Sequence, residues 1–529
     1  MKVTPIKSGI GFFLIGFIYS YLNNVEFSLI IPTAITGFFY IFSIGCLYQV
    51  FPKKRTLISI ILSFLVFLHL FYFAVQALIA NIFHTVVDDF IIIDAIFNTS
   101  VSEASEFFIQ YYPFLLAHLI VFLLLFLSYW YFFITKITVT NSSERKKYIY
   151  LHILPLIIIV LAHFNPGFAR GNPILLFLAK YKQWQGAYIA EQNATREMGN
   201  FVKGEQIKFD CRIDKKKNTV VWVIGESDTR HNWSLYGYKR NTNPKLSKIK
   251  NELLLFNDVL AAYSSTDESI RRMLTQSKAP SIIQVAQKCH YKVFWVSNQS
   301  SDIRGIMSVF SKQVDQAFYT NSEGFRGKTP YDDVIFDPYK QVLSSSANKK
   351  FIIVHLMGEH PSYFFRFPKS YAYFNNKKDD IYMELKKRGA AFWAIYFRDL
   401  YDNAILFDDY VLSHLIEILK DKSPTNSIFL YTSDHGQDVS HHTNFSGHNH
   451  LANEQWEIPF FIWANDLSTQ RQKRVEFRPY QTDKIYHTLL GVLKINGGNY
   501  NQDYDLLSIK YNKRLNKNRM MENRRYVGG

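Results

Sequence analysis

Cysteine is scarce in this sequence, and its scarcity excludes two kinds of domain. Only 3 cysteines occur among 529 residues, too few for a disulfide framework or for a zinc site built from cysteine ligands. Cys46 lies in an apolar run, whereas Cys211 and Cys289 lie in mixed sequence. These two could pair in an oxidising compartment, but the sequence leaves their separation in space open.

Also missing is a stripe of Lys and Arg interleaved with aromatic residues in the middle of the chain. The formal net charge of +16 would admit a nucleic-acid partner, but without such a stripe no nucleic-acid interface is predicted. Much of the excess positive charge lies in short loops and in the tail at 510–525. That distribution fits a protein working beside anionic lipid head groups, and a merely solvated basic tail is the alternative.

Long apolar runs are present, and they are confined to the first third of the chain. Crossing a bilayer takes about 20 residues of helix. Five runs approach or exceed this length, at 8–22, 27–51, 56–83, 113–137 and 148–164. A cleavable signal peptide is the alternative for the first run, but no small-residue cleavage site follows it. We therefore predict a membrane domain of five transmembrane helices over residues 1–164.

The loops between these runs differ in charge, and this difference predicts their orientation. Basic residues are retained on the cytoplasmic side of a membrane. They precede the first run and lie between the second and third and between the fourth and fifth: Lys2, Lys7, Lys53, Lys54, Arg55, Arg145, Lys146 and Lys147. The loop at 84–112 instead holds five acidic residues and no Lys or Arg. The prediction is a cytoplasmic N-terminus, with everything after Phe164 outside.

The pattern changes beyond the membrane domain. Residues 165–205 are mixed apolar and basic, as in an amphipathic connector on a membrane surface. Residues 206–505 then alternate short β-rich runs, at 220–224, 291–296, 351–355 and 427–431, with helical ones such as 399–419. This alternation predicts an α/β domain with a mainly parallel central sheet, followed by a basic tail at 506–529.

Several of these strands end in side chains that can bind a metal. Glu226 follows the first, His360 follows the third after a glycine turn, and Asp434 with His435 follows the fourth. Four further histidines come soon after: His441, His442, His448 and His450. Each alone has a plain structural explanation, such as a solvated carboxylate. Because ligands gather beyond the carboxyl ends of parallel strands, together they predict a zinc site of His and carboxylate ligands.

A hydroxyl cluster at 263–273 offers a nucleophile. Thr266 stands there where a helix is expected to begin, and the amides at a helix N-terminus favour a phosphate. A metal or a base must activate such a hydroxyl before it can attack phosphorus. The alternative is an ordinary helix cap, since Ser and Thr are favoured at that position.

Five ordered motifs carry a resemblance to a known family. They are VIGESDTRHNWSLYGY at 223–238, Ser265-Thr266 with Met273, HLMGEHP at 355–361, YDNAILFDDY at 401–410 and SDHG at 433–436. The chain resembles the phosphoethanolamine transferases of Gram-negative bacteria, within the alkaline-phosphatase/sulfatase superfamily. That family includes the lipid A-modifying and mobile colistin-resistance enzymes. The resemblance implies a bacterial inner-membrane protein with a periplasmic catalytic domain.

The resemblance also implies roles for individual residues. Thr266 would be the nucleophile and a zinc ligand, with Glu226, Asp434 and His435 completing the zinc site. His360 and His448 would lie near a second metal or the substrate phosphate, and Arg304 would hold a phosphate oxygen. Asn98, Thr99 and Glu103 would face a lipid head group. Zinc is the implied cofactor, as one tightly bound ion with room for a second, and Mn²⁺ or Mg²⁺ is less favoured.

The implied reaction moves phosphoethanolamine from phosphatidylethanolamine, through a threonine intermediate, to lipopolysaccharide, lipid A or another envelope glycan. Lipid A-directed members have a disulfide bracketing the nucleophile where this chain has Ala262 and Arg272, so core heptose or other glycans are equal candidates for the acceptor. Two alternatives stay open. One is a glycerol-phosphate transferase using phosphatidylglycerol, and the other is a catalytically inactive membrane protein that binds glycans.

Overall fold

The computed structural model describes residues 3–83, 86–88, 92, 101–137, 145–204, 209–211, 217–276, 279–300, 306–321, 330–466, 475–497 and 499–527. The chain divides into two compact units. The first comprises Met1–Thr99 and Phe108–Ile189, and the second comprises Ser100–Phe107 and Ala190–Gly529. Each unit has its own apolar core.

All five apolar runs are helical. They form α1 (Pro5–Leu22), α2 (Phe27–Val50), α3 (Arg55–Phe83), α4 (Val101–Tyr129) and α5 (Arg145–Ala162). Four of the described helices are long and apolar enough to cross a membrane, whereas the apolar part of α5, Lys147–Ala162, is shorter. Many of their large apolar side chains are exposed, as expected where lipid replaces water as the solvent. The predicted α-helical membrane part is confirmed, with four to five spans.

Two helices follow α5. They are α6 (Pro166–Ala169) and α7 (Pro173–Gly204). The side chain of Asn165 accepts hydrogen bonds from the amides of Gly167 and Phe168, so it caps the start of α6. The predicted connector at 165–205 is therefore almost entirely helical.

A seven-stranded sheet forms the centre of the described part of the second unit, in the order β3-β11-β8-β2-β7-β5-β6. Its strands are β2 (Asn218–Gly225), β3 (Leu253–Leu255), β5 (Lys292–Ser300), β6 (Gln316–Asn321), β7 (Lys349–His355), β8 (Ser427–Ser433) and β11 (Phe460–Ala464). The neighbours β8, β2, β7, β5 and β6 pair in parallel, and β11 runs antiparallel to β8 and β3. The predicted mainly parallel sheet is confirmed.

Helices cover this sheet because its central strands are apolar on both faces. The helices described in this part of the chain are α8 (Pro244–Lys248), α9 (Thr266–Leu274), α10 (Ile282–Lys288), α11 (Ile306–Ser311), α12 (Phe336–Leu343), α13 (Asp380–Lys387), α14 (Phe392–Lys422), α15 (Asn453–Trp456), α16 (Ile485–Val492) and α17 (Lys513–Val527). Trp222 of β2 lies in one core cluster with Ile270 of α9, Ile283 of α10 and Leu489 of α16. The remaining strands are short: β1 (Phe209–Cys211), β4 (Val259–Leu260), β9 (Asp438–Val439), β10 (Ser446–Gly447), β12 (Tyr480–Gln481) and β13 (Ile495–Gly497).

Cys211 and Cys289 form a disulfide, which settles the pairing that the sequence leaves open. Cys211 ends β1, which pairs with β13, and Cys289 follows the last residue of α10. The bond closes a loop across 78 positions of sequence. A cross-link over a loop of this length restricts the unfolded chain, and it persists in an oxidising compartment.

A buried ion cluster fixes the segment that follows β2. The carboxylate of Glu457 pairs with the Arg230 guanidinium and lies 2.8 Å from His231 Nε2, with only 10% of the Glu457 side chain exposed. Burial alone would raise the pKa of Glu457, but the hydrogen bonds from His231 and Arg230 outweigh it and lower the pKa to about 2. A carboxyl with a depressed pKa stabilises the fold above its unfolded pKa, and this contribution is lost as the pH falls towards the folded value.

We therefore expect Glu457→Gln to lower the free energy of unfolding by about 3 kcal/mol at pH 7. The difference from the unsubstituted chain should narrow to about 1 kcal/mol at pH 3, as the unfolded carboxyl becomes protonated. Urea unfolding of the detergent-solubilised protein at both pH values measures this. Glu417→Gln is the matched control, because the Glu417 side chain is 70% exposed. A difference that does not change with pH would contradict the assigned pKa.

Candidate active site

The candidate site lies where β2 and β8 end side by side. The two strands pair in parallel, with Gly225 opposite Ser433. The residue that directly follows each strand is an acid: Glu226 follows β2, and Asp434 follows β8. Parallel pairing thus brings together two acids that lie more than two hundred positions apart in sequence, as expected at the carboxyl edge of such a sheet.

Thr266 completes this site from the first turn of α9. Its Oγ1 lies 3.2 Å from both Oε1 and Oε2 of Glu226 and 3.2 Å from Nε2 of His435. The residue before it, Ser265, is the N-cap but makes no side-chain capping hydrogen bond. The hydroxyl of Thr266 therefore points at the acid–imidazole cluster instead of serving as an ordinary helix cap.

Neighbouring groups orient both Asp434 and His435. Oδ1 of Asp434 accepts hydrogen bonds from the amides of Ser227, at 3.0 Å, and His435, at 2.7 Å. Nδ1 of His435 lies 2.9 Å from the carbonyl oxygen of Gly436, which fixes the proton on Nδ1. Nε2 is then an acceptor that faces Thr266, the arrangement usual for a metal-binding histidine.

The charges in this cluster call for a cation. Glu226 is 1% exposed, Asp434 and His435 are fully buried, and ligand atoms of all three lie within 4.8 Å of one another. Burial, followed by the nearby charge of Asp434, raises the pKa of Glu226 well above its ordinary value. Oδ2 of Asp434 is buried without a hydrogen-bond partner among the described residues. Two buried acids, one imidazole and a hydroxyl are a donor set that fits zinc.

Of the four later histidines, His448 lies nearest this cluster. Its ring centroid is 4.8 Å from that of His435, and its Nδ1 is 3.2 Å from Nε2 of Gln455. Burial, followed by His435, His450 and His360, lowers the pKa of His448 well below its ordinary value. The charge of His360 thus acts on His448, and a shared role of the two at a second ion or phosphate stays a prediction.

The other histidines have partners elsewhere. Nε2 of His441 lies 2.8 Å from Oδ1 of Asn232, and His442 is exposed beside Glu454. His450 is near the site but contacts the Ser264 hydroxyl at 3.0 Å through Nδ1. Spacing in the sequence could not separate these four, since all lie on one irregular segment, whereas the fold directs only some of them to the zinc-ligand cluster.

Several predicted site residues lie outside the described part of the chain. Asn98, Thr99 and Arg304 are outside it, and at Glu103 the helix backbone is described but the side chain is not. Their roles at a lipid head group or a phosphate stay predictions.

A non-covalent contact joins Ala262 and Arg272, which lie on either side of Thr266 in the sequence. The guanidinium of Arg272 donates to the carbonyl oxygen of Ala262 at 3.4 Å and to Glu268 at 2.6 Å, and it also lies over the Tyr263 ring. These contacts join the two ends of the segment that carries Thr266. The segment is therefore held in place without cysteine.

One feature next to the site was missed by sequence reasoning. Asp228, Glu359 and Asp408 bring ligand atoms within 4.8 Å of one another and are all buried. Each lies inside a quoted motif, but the three come from distant parts of the chain. Membership of these motifs is the sequence signal that the three acids share, and by itself it indicates no common site.

Comparisons with known proteins agree with this geometry. The sulfatase family model matches residues 218–495. Phosphoethanolamine transferase EptC of Escherichia coli K12 is 31% identical over 321 residues, covering 56% of this chain and 53% of that protein. Phosphoethanolamine transferase CptA of Salmonella typhimurium is 33% identical over 293 residues, covering 51% of this chain and 50% of that protein. The chain thus matches about half the length of these curated relatives.

Solved structures show the same fold. The C-terminal periplasmic domain of EptC from Escherichia coli, in complex with Zn, aligns with a TM-score of 0.53 at 28% identity, covering 58% of this chain and 90% of that one. The integral membrane lipooligosaccharide phosphoethanolamine transferase A of Neisseria meningitidis aligns with a TM-score of 0.61 at 18% identity, over 94% of this chain and 95% of that one. The resemblance to phosphoethanolamine transferases is confirmed, and the chain belongs to the sulfatase family of the alkaline-phosphatase/sulfatase superfamily.

Proposed function

We propose that this protein transfers phosphoethanolamine from phosphatidylethanolamine to an envelope glycolipid or glycan, through a phosphoethanolamine–Thr266 intermediate. The observation that carries the proposal is the position of Thr266 Oγ1, 3.2 Å from Glu226 and 3.2 Å from His435. A hydroxyl held among metal-binding groups is an activated nucleophile. The similarity to EptC and CptA, named as phosphoethanolamine transferases, supports the choice of the transferred group.

The proposed reaction has two steps, transfer of phosphoethanolamine to Thr266 and then to the acceptor. Oγ1 of Thr266 forms a bond to phosphorus, the bond from phosphorus to the glycerol oxygen breaks, and diacylglycerol leaves with the proton that Thr266 gives up. An acceptor hydroxyl or monoprotonated phosphate then attacks the same phosphorus, the bond to Oγ1 breaks, and Thr266 regains the proton that the acceptor gives up. A bound zinc ion would lower the pKa of the Thr266 hydroxyl and offset charge on the phosphoryl oxygens.

The residues of the chain set the geometry for both steps. Glu226, Asp434 and His435 would hold the zinc ion, and the amides of Ser227 and His435 fix the Asp434 carboxylate. His360 and His448 would bind a phosphoryl oxygen or a second ion, as the family resemblance implies. The start of α9 adds backbone amides that favour an anion. Since Oγ1 of Thr266 already points into this cluster, the attack needs little rearrangement.

The membrane helices fit a lipid donor and a lipid leaving group. We place the protein in the bacterial inner membrane with its N-terminus in the cytoplasm, on the charge distribution of the loops. The catalytic domain then faces the periplasm, where the disulfide between Cys211 and Cys289 is stable. Lipopolysaccharide, lipid A and other envelope glycans are the acceptor classes.

A comparison of labelled donors tests this function. The full chain, purified in detergent with zinc, is incubated with phosphatidylethanolamine or phosphatidylglycerol, each radiolabelled in the head group. We expect label on the protein and an equal amount of diacylglycerol only with phosphatidylethanolamine. Adding lipopolysaccharide should then move the label from the protein to the acceptor.

Other outcomes would replace the proposal. Label from phosphatidylglycerol alone would identify a glycerol-phosphate transferase. Bound zinc without label from either lipid would support an inactive glycan-binding protein. Release of free phosphoethanolamine without transfer to any glycan fraction would indicate a hydrolase.

A further inference from the structure

A second cluster of buried acids lies next to the candidate active site, since one of its members, Asp228, follows Glu226 by two residues. Asp228 and Asp408 are 0% and 4% exposed, and Glu359 is 0% exposed. One carboxylate oxygen from each lies within 4.8 Å of the other two. The three acids come from the segment after β2, the loop after β7 and the middle of α14, so the tertiary fold alone assembles them.

Three carboxylate oxygens of this cluster are buried without a hydrogen-bond partner among the described residues. Neither oxygen of Glu359 has a hydrogen-bond partner there, nor does Oδ1 of Asp408. Asp332 adds a fourth acid, but its oxygens accept hydrogen bonds from the amides of Met357 and Gly358. The unpartnered oxygens therefore belong to Glu359 and Asp408.

The partners of Asp228 leave it able to bind an ion. Its oxygens accept from Nε1 of Trp233 at 2.7 and 2.8 Å, and Oδ2 also accepts from the Tyr431 hydroxyl at 2.8 Å. The same Tyr431 hydroxyl oxygen lies 3.2 Å from Oδ2 of Asp408, so its single proton is available to one of the two carboxylates at a time. These neutral donors orient the two carboxylates without cancelling their charge, as outer-sphere groups do around a bound metal.

We propose that Asp228, Glu359 and Asp408 bind a hard divalent cation of the size of Ca²⁺, separate from the zinc site at Thr266. Carboxylate oxygens without nitrogen or sulfur favour Ca²⁺, Mg²⁺ or Mn²⁺ over zinc. Oxygens bound to Ca²⁺ at roughly 2.3–2.6 Å lie up to about 5 Å apart, which accommodates the observed separations. Mg²⁺, at roughly 2.0–2.1 Å, spans oxygens only up to about 4 Å apart, so Ca²⁺ fits more of the separations that the 4.8 Å limit allows.

This cation would connect two segments that carry candidate zinc-site residues. The amide of Glu359 donates to the carbonyl oxygen of Glu226 at 2.9 Å. Gly358 has φ +48°, and a Cβ there would lie 2.8 Å from backbone atoms of Glu226, so the loop and the ligand segment are in direct backbone contact. An ion held by Asp228 and Glu359 would fix Glu226 on one side and His360 on the other.

Terbium luminescence tests the site, because Tb³⁺ replaces Ca²⁺ at oxygen ligands and is excited through a nearby indole. Trp233 lies 2.7 Å from the Asp228 carboxylate. The full chain is treated with chelator, reloaded with one equivalent of zinc and titrated with Tb³⁺. We expect sensitised emission that saturates at one equivalent and is displaced by Ca²⁺. In Glu359→Gln the affinity should fall by more than the roughly 10- to 100-fold that loss of an outer-sphere partner causes.

Thermal unfolding supplies a second readout. We expect Ca²⁺ to reverse which of the two proteins, Glu359→Gln or the unsubstituted chain, has the higher unfolding temperature. In zinc alone, Glu359→Gln should unfold at a higher temperature than the unsubstituted chain, because it removes one of three adjacent charges. With Ca²⁺ added, the unsubstituted chain should become the more stable protein. Asp409→Asn is the matched control, since this neighbouring buried acid accepts the amides of Lys245 and Leu246 instead, and its response to Ca²⁺ should match that of the unsubstituted chain.

Three results would overturn the proposal. The first is the absence of any Glu359-dependent response to Ca²⁺, Mg²⁺ or Mn²⁺, which would mean that the acids share protons instead. The second is a Glu359-dependent response to excess zinc alone. The third is Tb³⁺ emission that persists unchanged in Glu359→Gln. Because these readouts need no donor lipid, failure here leaves the proposed transfer untouched, and failure of the transfer leaves the cation site untouched.

Discussion

Thr266→Ala is expected to lose the phosphoethanolamine adduct and to lower transfer by about 1,000-fold or more, because it removes the oxygen that attacks phosphorus in the proposed first step. Among the described residues, Oγ1 of Thr266 is the hydroxyl oxygen that contacts both Glu226 and His435. Intact-mass spectrometry after incubation with phosphatidylethanolamine measures the adduct. A radiolabelled acceptor measures the transfer.

Two further variants make this result specific. Thr275→Ala removes the threonine that follows α9, whose hydroxyl donates to the Arg271 carbonyl oxygen at 2.6 Å. This variant should keep the adduct. Thr266→Ser keeps a hydroxyl and should retain a fraction of the activity. An adduct of full intensity in Thr266→Ala would assign the nucleophile to another residue.

Asp434→Asn should abolish stoichiometric zinc binding and, with it, the transfer. The substitution keeps the size of the side chain and leaves an oxygen to accept the amides of Ser227 and His435. It removes the charge of Oδ2, which is buried and lies 3.3 Å from Nε2 of His435. We expect zinc affinity to fall by more than about 100-fold, since the loss exceeds that of an outer-sphere partner. Metal analysis of the purified protein by mass spectrometry measures the zinc content.

Chelation should act in the same way and be reversible. Removing the ion leaves two buried acids in contact without a cation, so the thermal unfolding temperature should fall and recover when zinc is added back. Asp438→Asn is the matched control, because this nearby buried acid accepts from His441 and Asn449 and belongs to neither acid cluster. Full zinc content in Asp434→Asn would remove this residue from the proposed ligand set.

Much of the fold was predictable because its determinants are local. An apolar run long enough to cross a bilayer must form a helix, since the backbone has no other partner in lipid. Apolar β-rich runs alternating with helical ones must form a covered parallel sheet. The predicted strand at 427–431 is thus part of β8, Ser427–Ser433, and the predicted helix at 399–419 is part of α14, Phe392–Lys422.

The candidate zinc site was also predictable, for a topological reason. Glu226 and Asp434 directly follow two strands, and parallel strands place their carboxyl ends at one edge. The sequence therefore needed only to indicate strands for these acids to be expected together. The role of each side chain in catalysis stays a prediction, and the variants above decide it.

Some contacts join residues that are distant in sequence and do not follow paired strands. Only the tertiary structure decided these contacts. The pairing of Cys211 with Cys289 depends on β1 lying beside β13 and on the end of α10. The direction of His448 towards His435 and of His441 towards Asn232 depends on an irregular segment. The contact of Asp228 with Glu359 and Asp408 likewise depends on a loop and the middle of a helix. Local sequence determines which residues form helices and strands, whereas contacts between irregular segments arise only when the whole chain has packed.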